Sequence, residues 1–287
     1  MKHLSPETHQ RKIVRVLGLA QVLNGIGVAG TVAAGSLLVS SITKSDGLSG
    51  LAQTISVLGA AVMALPLARL TQSGGRRLAL TFGYSVGVIG AVLAIFGGAN
   101  RNLFFMLLGA FMVGAASASG YQARFAAIDL ATPEKRSKDL SFVVWGSTIG
   151  AVTGPNLMEP SGLFAAALGL PKLVGPYFIA AFTLALSVTV IQLFLKPDPF
   201  LTANKAVEGA ATKPHESMRS ALKHIREYPI ALFAIASVAI GHLAMVSIMV
   251  MTPVHMAHVD VTLTVIGLVI SIHIVGMYAF SPLVGIL

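Results

Sequence analysis

The chain contains long, uninterrupted runs of apolar residues, and these runs restrict its fold more than any other feature. Each is about as long as the roughly 20 residues that an α-helix needs to cross the hydrocarbon core of a bilayer. We count eight runs, at residues 13–41, 50–70, 78–98, 102–121, 140–158, 174–195, 229–252 and 261–287. Backbone polar groups in a bilayer must be hydrogen-bonded within the protein, and these runs are too long for membrane strands. The sequence therefore predicts an all-α fold, a polytopic transmembrane helical bundle.

The basic residues are distributed unevenly between the two sides of the predicted bundle. With a cytoplasmic N-terminus, 17 of the 20 lysines and arginines fall in inside segments, and Lys44, Arg101 and Lys172 fall outside. An excess of basic residues marks the cytoplasmic side of a membrane protein. We therefore predict a multi-pass protein of the cytoplasmic membrane with its N-terminus inside. Its net charge of +9 is then explained by loops that face anionic lipid, without nucleic acid as a partner.

The order of the runs predicts an organisation in two halves. Residues 1–195 hold six runs, residues 196–228 form a polar cytoplasmic linker with a short amphipathic helix at 216–227, and residues 229–287 supply two more helices. Many transporters are built from two related halves of this kind. The last run reaches Leu287 without a following loop, so we expect a complete second half to need about four more helices, about twelve in all.

The connection between the second and third runs resembles a signature of the major facilitator superfamily. Residues 68–77 read Ala-Arg-Leu-Thr-Gln-Ser-Gly-Gly-Arg-Arg, close to the family pattern Gly-x-x-x-Asp-x-x-Gly-Arg-Arg. Glutamine stands in place of the acid and alanine in place of the first glycine, which calls into question the charge relay that the pattern implies. The alternative is an ordinary basic inner loop. The inner-loop gating residues implied by the resemblance are Gln72, Gly75, Arg76 and Arg77.

Two further segments carry the same resemblance. Arg124, Asp129 and Arg136 resemble the basic and acidic connection between the fourth and fifth helices of the family, although an inner-loop ion pair without a role in transport explains them equally well. The fifth run resembles a glycine motif that the family associates with proton antiporters, and close helix packing is the alternative. The residues of this motif are Gly146, Gly150, Gly154 and Pro155.

Two pairs of soft metal ligands stand in the last two runs. Met245 and Met249 are four residues apart, as are His273 and Met277, and residues at this spacing share one face of a helix. Thioether and imidazole groups suit Cu(I), and a histidine within a membrane span marks a candidate functional site. His242 lies one turn deeper than Met245, so we predict convergence near the middle of the membrane. Packing by the methionines and a helix–helix hydrogen bond from the histidine are the alternatives.

Within the superfamily, these Met-x-x-x-Met and His-x-x-x-Met pairs resemble the motifs of the CcoA-type copper importers. The resemblance implies copper import, with copper as the substrate. The connection between the two runs adds His255, Met256 and His258, which we predict to capture an ion at the outer mouth. A solvated loop that contains two histidines by chance is the alternative.

Other function classes find less support in the sequence. The helix-5 glycine motif also suggests export of small organic compounds by proton antiport, and a chain that lacks further helices suggests a fragment that transports nothing. The chain contains no His-Glu-x-x-His helix, no phosphate-binding glycine loop and no Gly-x-Ser-x-Gly elbow. It has no cysteine, which excludes disulfides and thiolate metal sites. We predict no enzyme and no cofactor, with the lipid bilayer and a small substrate or metal ion as partners.

Overall fold

The structure, a computed structural model, describes residues 6–207 and 224–278 as helices joined by short connections. No strand occurs in these residues. The helices are α1 Pro6–Thr43, α2 Leu51–Ala99, α3 Leu103–Ala126, α4 Arg136–Asn156, α5 Met158–Ala167, α6 Gly175–Phe194, α7 Pro199–Val207, α8 Pro229–His258 and α9 Leu263–Tyr278. Two single turns of 3-10 helix lie at Asp46–Leu48 and Lys172–Val174.

Each of the eight apolar runs is mainly helical where the structure describes it, so the predicted transmembrane helical bundle is confirmed. Among the described residues, five helical stretches are long and apolar enough to cross a membrane, namely Glu7–Thr43, Asp46–Ala99, Leu103–Ala126, Lys172–Asn204 and Pro229–His258. The short α7 follows α6 at the start of the predicted linker. The amphipathic helix predicted at 216–227 lies mostly outside the described residues.

Breaks within two helices explain how the chain turns between spans. The 49 residues of α2 contain Gly75, whose φ of 86° and ψ of 174° are not helical, so α2 consists of two arms that meet at this residue. A residue with a Cβ is strained at such a positive φ, and glycine is not. The fifth apolar run likewise forms two helices, because α4 contains Pro155 near its end and gives way to α5 after Leu157.

The first six runs pack through small residues. Ideal Cβ atoms built on Gly146 and Gly154 of α4 would lie 2.8 Å from the carbonyl oxygen of Gly18 and 2.6 Å from that of Ile26, both on α1. Gly150 also faces the backbone of α1. Membrane helices gain much of their stability from such close backbone approach, since the bilayer supplies no hydrophobic driving force between them.

The last two helices, α8 and α9, pack against the other helices mainly at one end of the bundle. We call the end that holds Gly75 and α7 the linker side, and the end that holds Asp46–Leu48 and the α8–α9 turn the far side. The buried residues of α8 are Val250, Pro253 and Val254, all in its far-side half. In α9, the hydroxyl of Ser271 donates to the carbonyl oxygen of Val152 on α4 at 2.8 Å.

The seventh run is longer as a helix than the sequence indicates. We expected it to end near residue 252, with Pro253 bending its end and a loop following. Instead α8 continues through a buried Pro253 to His258. Proline removes one backbone donor from a helix. The helix nevertheless continues, and Val254, which follows Pro253, is buried in the apolar cluster on the far side, which we call the far-side core.

Candidate functional site

A central cavity lies between the first six runs and the last two helices. Its volume is about 280 Å³, and its walls come from α1, α2, α3, α4, α6, α8 and α9. Four of the residues that the sequence singled out as metal ligands line it: His242, Met245, Met249 and Met277. The structure therefore brings the two methionine-bearing helices together at one cavity.

His273, the fifth predicted ligand, is exposed and does not line the cavity. The face of α9 that lines it carries Ile274, Met277 and Tyr278, and His273 lies about 100° around the helix from Ile274. The i, i+4 spacing from His273 to Met277 was therefore too coarse a guide to the lining face. In residues 6–207 and 224–278, no group of three or more histidine or carboxylate side chains is arranged to hold a metal ion.

Arg124 supplies a positive charge to the cavity. It lies in the last turn of α3, although the sequence placed it in the inner connection. Its guanidinium carbon is 5.1 Å from the ring centroid of Tyr121, and its Nη2 is 3.5 Å from the hydroxyl of Ser147. Its Nε is buried and has no hydrogen-bond partner within the described chain. Among the described lining residues Arg124 is the one that carries a permanent charge, and none is a carboxylate.

Two amides on α1 face the same cavity, and the sequence analysis did not single them out. Gln21 donates from Nε2 to the carbonyl oxygen of Gly120 at 2.9 Å. The side-chain oxygens of Gln21 and Asn24 are buried without a hydrogen-bond partner in the part of the chain that the structure describes. An unpaired buried acceptor costs about 1–3 kcal/mol, so these oxygens are poised to accept hydrogen bonds from a ligand or from water. Amide side chains within the first apolar run were the signal available in the sequence.

The residues predicted to capture an ion at the outer mouth take part in contacts on the far side. His258 Nε2 lies 3.1 Å from Asp46 Oδ2, and the hydroxyl of Ser49 donates to the sulfur of Met251 at 3.7 Å. Met256 packs against the far-side core, and His255 is exposed. We call this group of contacts, together with the apolar cluster in which Val254 and Ile266 are buried, the far-side seal.

The inner-loop residues form a network on the linker side. Arg76 makes a bidentate ion pair with Asp129, at 2.8 Å and 3.1 Å, and also donates to Gln122. Both charged side chains are largely buried, at 11% and 13% exposure. A charge contact to the neighbouring helix therefore exists although Gln72 stands in place of the acid. Asp129 pairs with Arg76, and not with Arg124 or with Arg136, which is exposed.

A second acid completes this network from the linker. Asp198 Oδ2 accepts a hydrogen bond from the backbone N–H of Arg77 at 2.7 Å, beside Gly75. Its other oxygen accepts from the N–H groups of Phe200 and Leu201, so Asp198 also caps α7. No local pattern in the sequence indicates this contact, because 121 residues separate the two partners.

Comparisons with known proteins agree on the protein family. Residues 17–287 match the family model described as the Major Facilitator Superfamily. The chain is 33% identical over 287 residues to the uncharacterized MFS-type transporter YdeG of Bacillus subtilis and 32% identical over 288 residues to YddS of the same organism. Each alignment covers 99% of this chain, and the chain spans 66% of the length of each of these relatives.

A third relative is named for its substrate. The riboflavin transporter RfnT of Brucella anthropi is 24% identical over 288 residues, an alignment that covers 98% of this chain and 68% of that protein. None of these three relatives is named for copper, so the resemblance to copper importers finds no support in them.

Proposed function

Because this chain belongs to the major facilitator superfamily, a family of transporters and not of enzymes, we propose that it carries a small organic solute through the central cavity. In this proposal residues 1–195 form the first half of the transporter and residues 229–287 begin the second. The linker at 196–228 and the N-terminus lie in the cytoplasm, which the 17-to-3 distribution of basic residues supports. The linker side of the bundle is then the cytoplasmic side.

The observation that carries the proposal is the charge pattern of the cavity. Arg124 faces it, and no carboxylate does among the described lining residues. Arg124 is partly buried and forms no ion pair with a carboxylate among the described residues, and a ligand that supplies acceptor oxygens can pair with its guanidinium. The same cation repels a positively charged substrate. The solute is therefore neutral or anionic, with carbonyl, carboxylate or similar oxygens.

The other residues that line the cavity indicate two further properties of the solute. The unpaired side-chain oxygens of Gln21 and Asn24 favour a solute that also carries N–H or O–H donors. Met245, Met249 and Met277 provide a polarizable apolar surface of the kind that packs well against flat rings. A ring system with both donors and acceptors meets these requirements, and riboflavin, named for the relative in Brucella anthropi, has this chemistry.

The charge of the cavity can be tested without knowing the substrate, because the chain has no cysteine. Ser117→Cys places a single thiol in the cavity wall, and Ser137→Cys places one on the exposed start of α4. Each thiol is treated with an anionic or a cationic methanethiosulfonate, the 2-sulfonatoethyl or the 2-trimethylammonioethyl reagent. For each thiol we compare the reaction rate of the anionic reagent with that of the cationic reagent. Near Arg124 we expect this ratio of rates to be about three to ten times the ratio measured for a free thiol.

Arg124→Gln should remove this preference at Ser117→Cys and leave Ser137→Cys unchanged. Riboflavin should slow disulfide formation between the reagent and the cavity thiol, which releases methanesulfinate, and not that at the control thiol, whereas ethidium, a flat cation, should protect neither. A cavity thiol that prefers the cationic reagent, or that ethidium protects and riboflavin does not, would contradict the proposal.

Copper import is a second candidate, because Met245, Met249, Met277 and His242 line the same cavity. Cu(I) binds well to two or three such ligands. Against it stand the charge of Arg124 and the position of His273 outside the cavity. Leucine keeps the volume of methionine and removes its sulfur. Loss of cellular copper accumulation in Met245→Leu, with no loss in the control Met112→Leu outside the cavity, would favour copper over the organic solute. Equal accumulation in both would remove copper from consideration.

A further inference from the structure

A second cavity lies away from the central one, in the groove between α1 and the start of α4 on the linker side. Its volume is about 600 Å³. Its lining includes three basic side chains and an apolar wall, namely Arg11, Arg15 and Lys138 with Val14, Phe142 and Trp145. This groove plays no part in the proposed transport pathway.

The groove carries an excess of positive charge. Arg11 and Arg15 are exposed residues four apart on α1, so they share one face, and Lys138 is exposed at the start of α4. Within residues 6–207 and 224–278, none of the three side chains makes a hydrogen bond or an ion pair. The one acid that lines the groove, Asp139, accepts a hydrogen bond from Gln10 Nε2 at 2.6 Å. Glu7, one turn before Arg11, attracts Arg11 but forms its ion pair with Lys135, so the three cations outnumber the carboxylates near them.

The groove also extends from the membrane surface into the depth of the bilayer. Lys138 precedes the apolar run that begins at residue 140, whereas Trp145 lies seven residues further along the same helix, about 10 Å deeper. The side chains of Phe142 and Trp145 are 49% and 41% exposed, so they form an uncovered aromatic wall below the cations.

We propose that this groove binds an anionic phospholipid, with its phosphate against Arg11, Arg15 and Lys138 and the upper part of an acyl chain along Phe142 and Trp145. Basic pockets between membrane helices recognise anionic headgroups, and each basic residue near such a surface adds to the attraction. The aromatic wall distinguishes a lipid from free phosphate, because soluble phosphate makes no use of an apolar surface within the hydrocarbon region.

Trp145 is the single tryptophan of the chain, so its fluorescence reports on this groove alone. The protein is placed in nanodiscs of phosphatidylcholine and phosphatidylglycerol, with bromine on the acyl chains of one lipid or the other to quench nearby tryptophan. We expect brominated phosphatidylglycerol to quench Trp145 as if enriched about five-fold over its share of the bilayer. Brominated phosphatidylcholine should quench less than its share.

Arg15→Gln should reduce the enrichment to about two-fold or less, and Arg69→Gln, which removes an exposed arginine of α2 outside the groove, should leave it unchanged. Quenching in proportion to bulk composition in the parent protein, or equal enrichment in both variants, would overturn the proposal. So would displacement of the lipid by inorganic phosphate beyond the effect of chloride at equal ionic strength. Quenching by brominated phosphatidylcholine in pure phosphatidylcholine nanodiscs serves as the folding control, since it requires only that Trp145 face lipid.

Discussion

Replacing Gly25 by alanine tests how closely α1 and α4 pack. A Cβ on Gly25 would lie 2.8 Å from the carbonyl oxygen of Ser147, 2.9 Å from the nitrogen of Ala151 and 3.0 Å from the Cα of Gly150, whereas ordinary contact begins at 3.4 Å. All three atoms belong to the backbone of α4, so none can rotate away. We expect the alanine to force the two helices apart by roughly half an ångström.

The energetic cost follows from two opposing terms. Overpacking of this kind destabilises a protein by about 1–3 kcal/mol, while alanine gains up to about 1 kcal/mol over glycine as a helix former. The net expectation is a loss of about 1–2 kcal/mol in the free energy of unfolding. Titration of the purified protein in mild detergent with sodium dodecyl sulfate, followed by circular dichroism, measures this loss as an earlier unfolding midpoint.

A matched glycine in the first half provides the control. Gly50 has a φ of −67°, which suits any residue, and nothing lies within 4 Å of a Cβ built on it. Gly50→Ala should therefore change the free energy of unfolding by less than about 0.5 kcal/mol. If Gly25→Ala unfolds at the same detergent concentration as the parent and Gly50→Ala, the close approach of α1 and α4 does not limit stability, and the reasoning from backbone contact fails.

Three further expectations concern the linker side. Arg76→Gln and Asp129→Asn should each destabilise the protein by about 2–3 kcal/mol, because each leaves a largely buried charge unpaired. The double variant should lose less stability than the sum of the two single losses. Losses that simply add would show that the pair is not coupled. Asp198→Ala should cost about 1–2 kcal/mol, since it removes both the cap of α7 and the acceptor for the Arg77 N–H, and an unchanged unfolding midpoint would contradict this. A cysteine at position 210 should react with an impermeant maleimide in inverted vesicles and not in intact cells; labelling of intact cells would reverse the proposed topology.

The membrane-spanning helices could be predicted because a bilayer imposes one length and one composition on every span. Helix ends were harder to predict. Pro253 was expected to end the seventh span, yet the helix continues through it, since burial against the far-side core is a tertiary effect that no local pattern encodes. The break after Pro155 was similarly only partly visible, because the apolar run continues across it into α5.

In the candidate site, too, features set by local spacing could be predicted, whereas features set by packing between distant segments could not. The spacing of Met245 and Met249 placed both on one face, and both line the cavity. His273 does not, because the direction of its helix face depends on how α9 packs against α4. Arg124 was assigned to the inner connection because the cavity forms only where α8 and α9 pack against the first six runs, and Asp198 was missed because its partner Arg77 lies 121 residues away.

The far-side seal has a consequence for how the activity of such a protein can change over evolutionary time. Its polar contact joins His258 and Asp46, which are 56% and 49% exposed, and exposed contacts of this kind contribute only about 0–1 kcal/mol even between full charges. In the proposed transport cycle, substitutions there would shift the balance between the conformations open to either face of the membrane by a few-fold, without reaching the cavity wall. The proposal then implies that turnover rate and solute preference depend on separate sets of residues, so that selection can adjust the one while leaving the other intact.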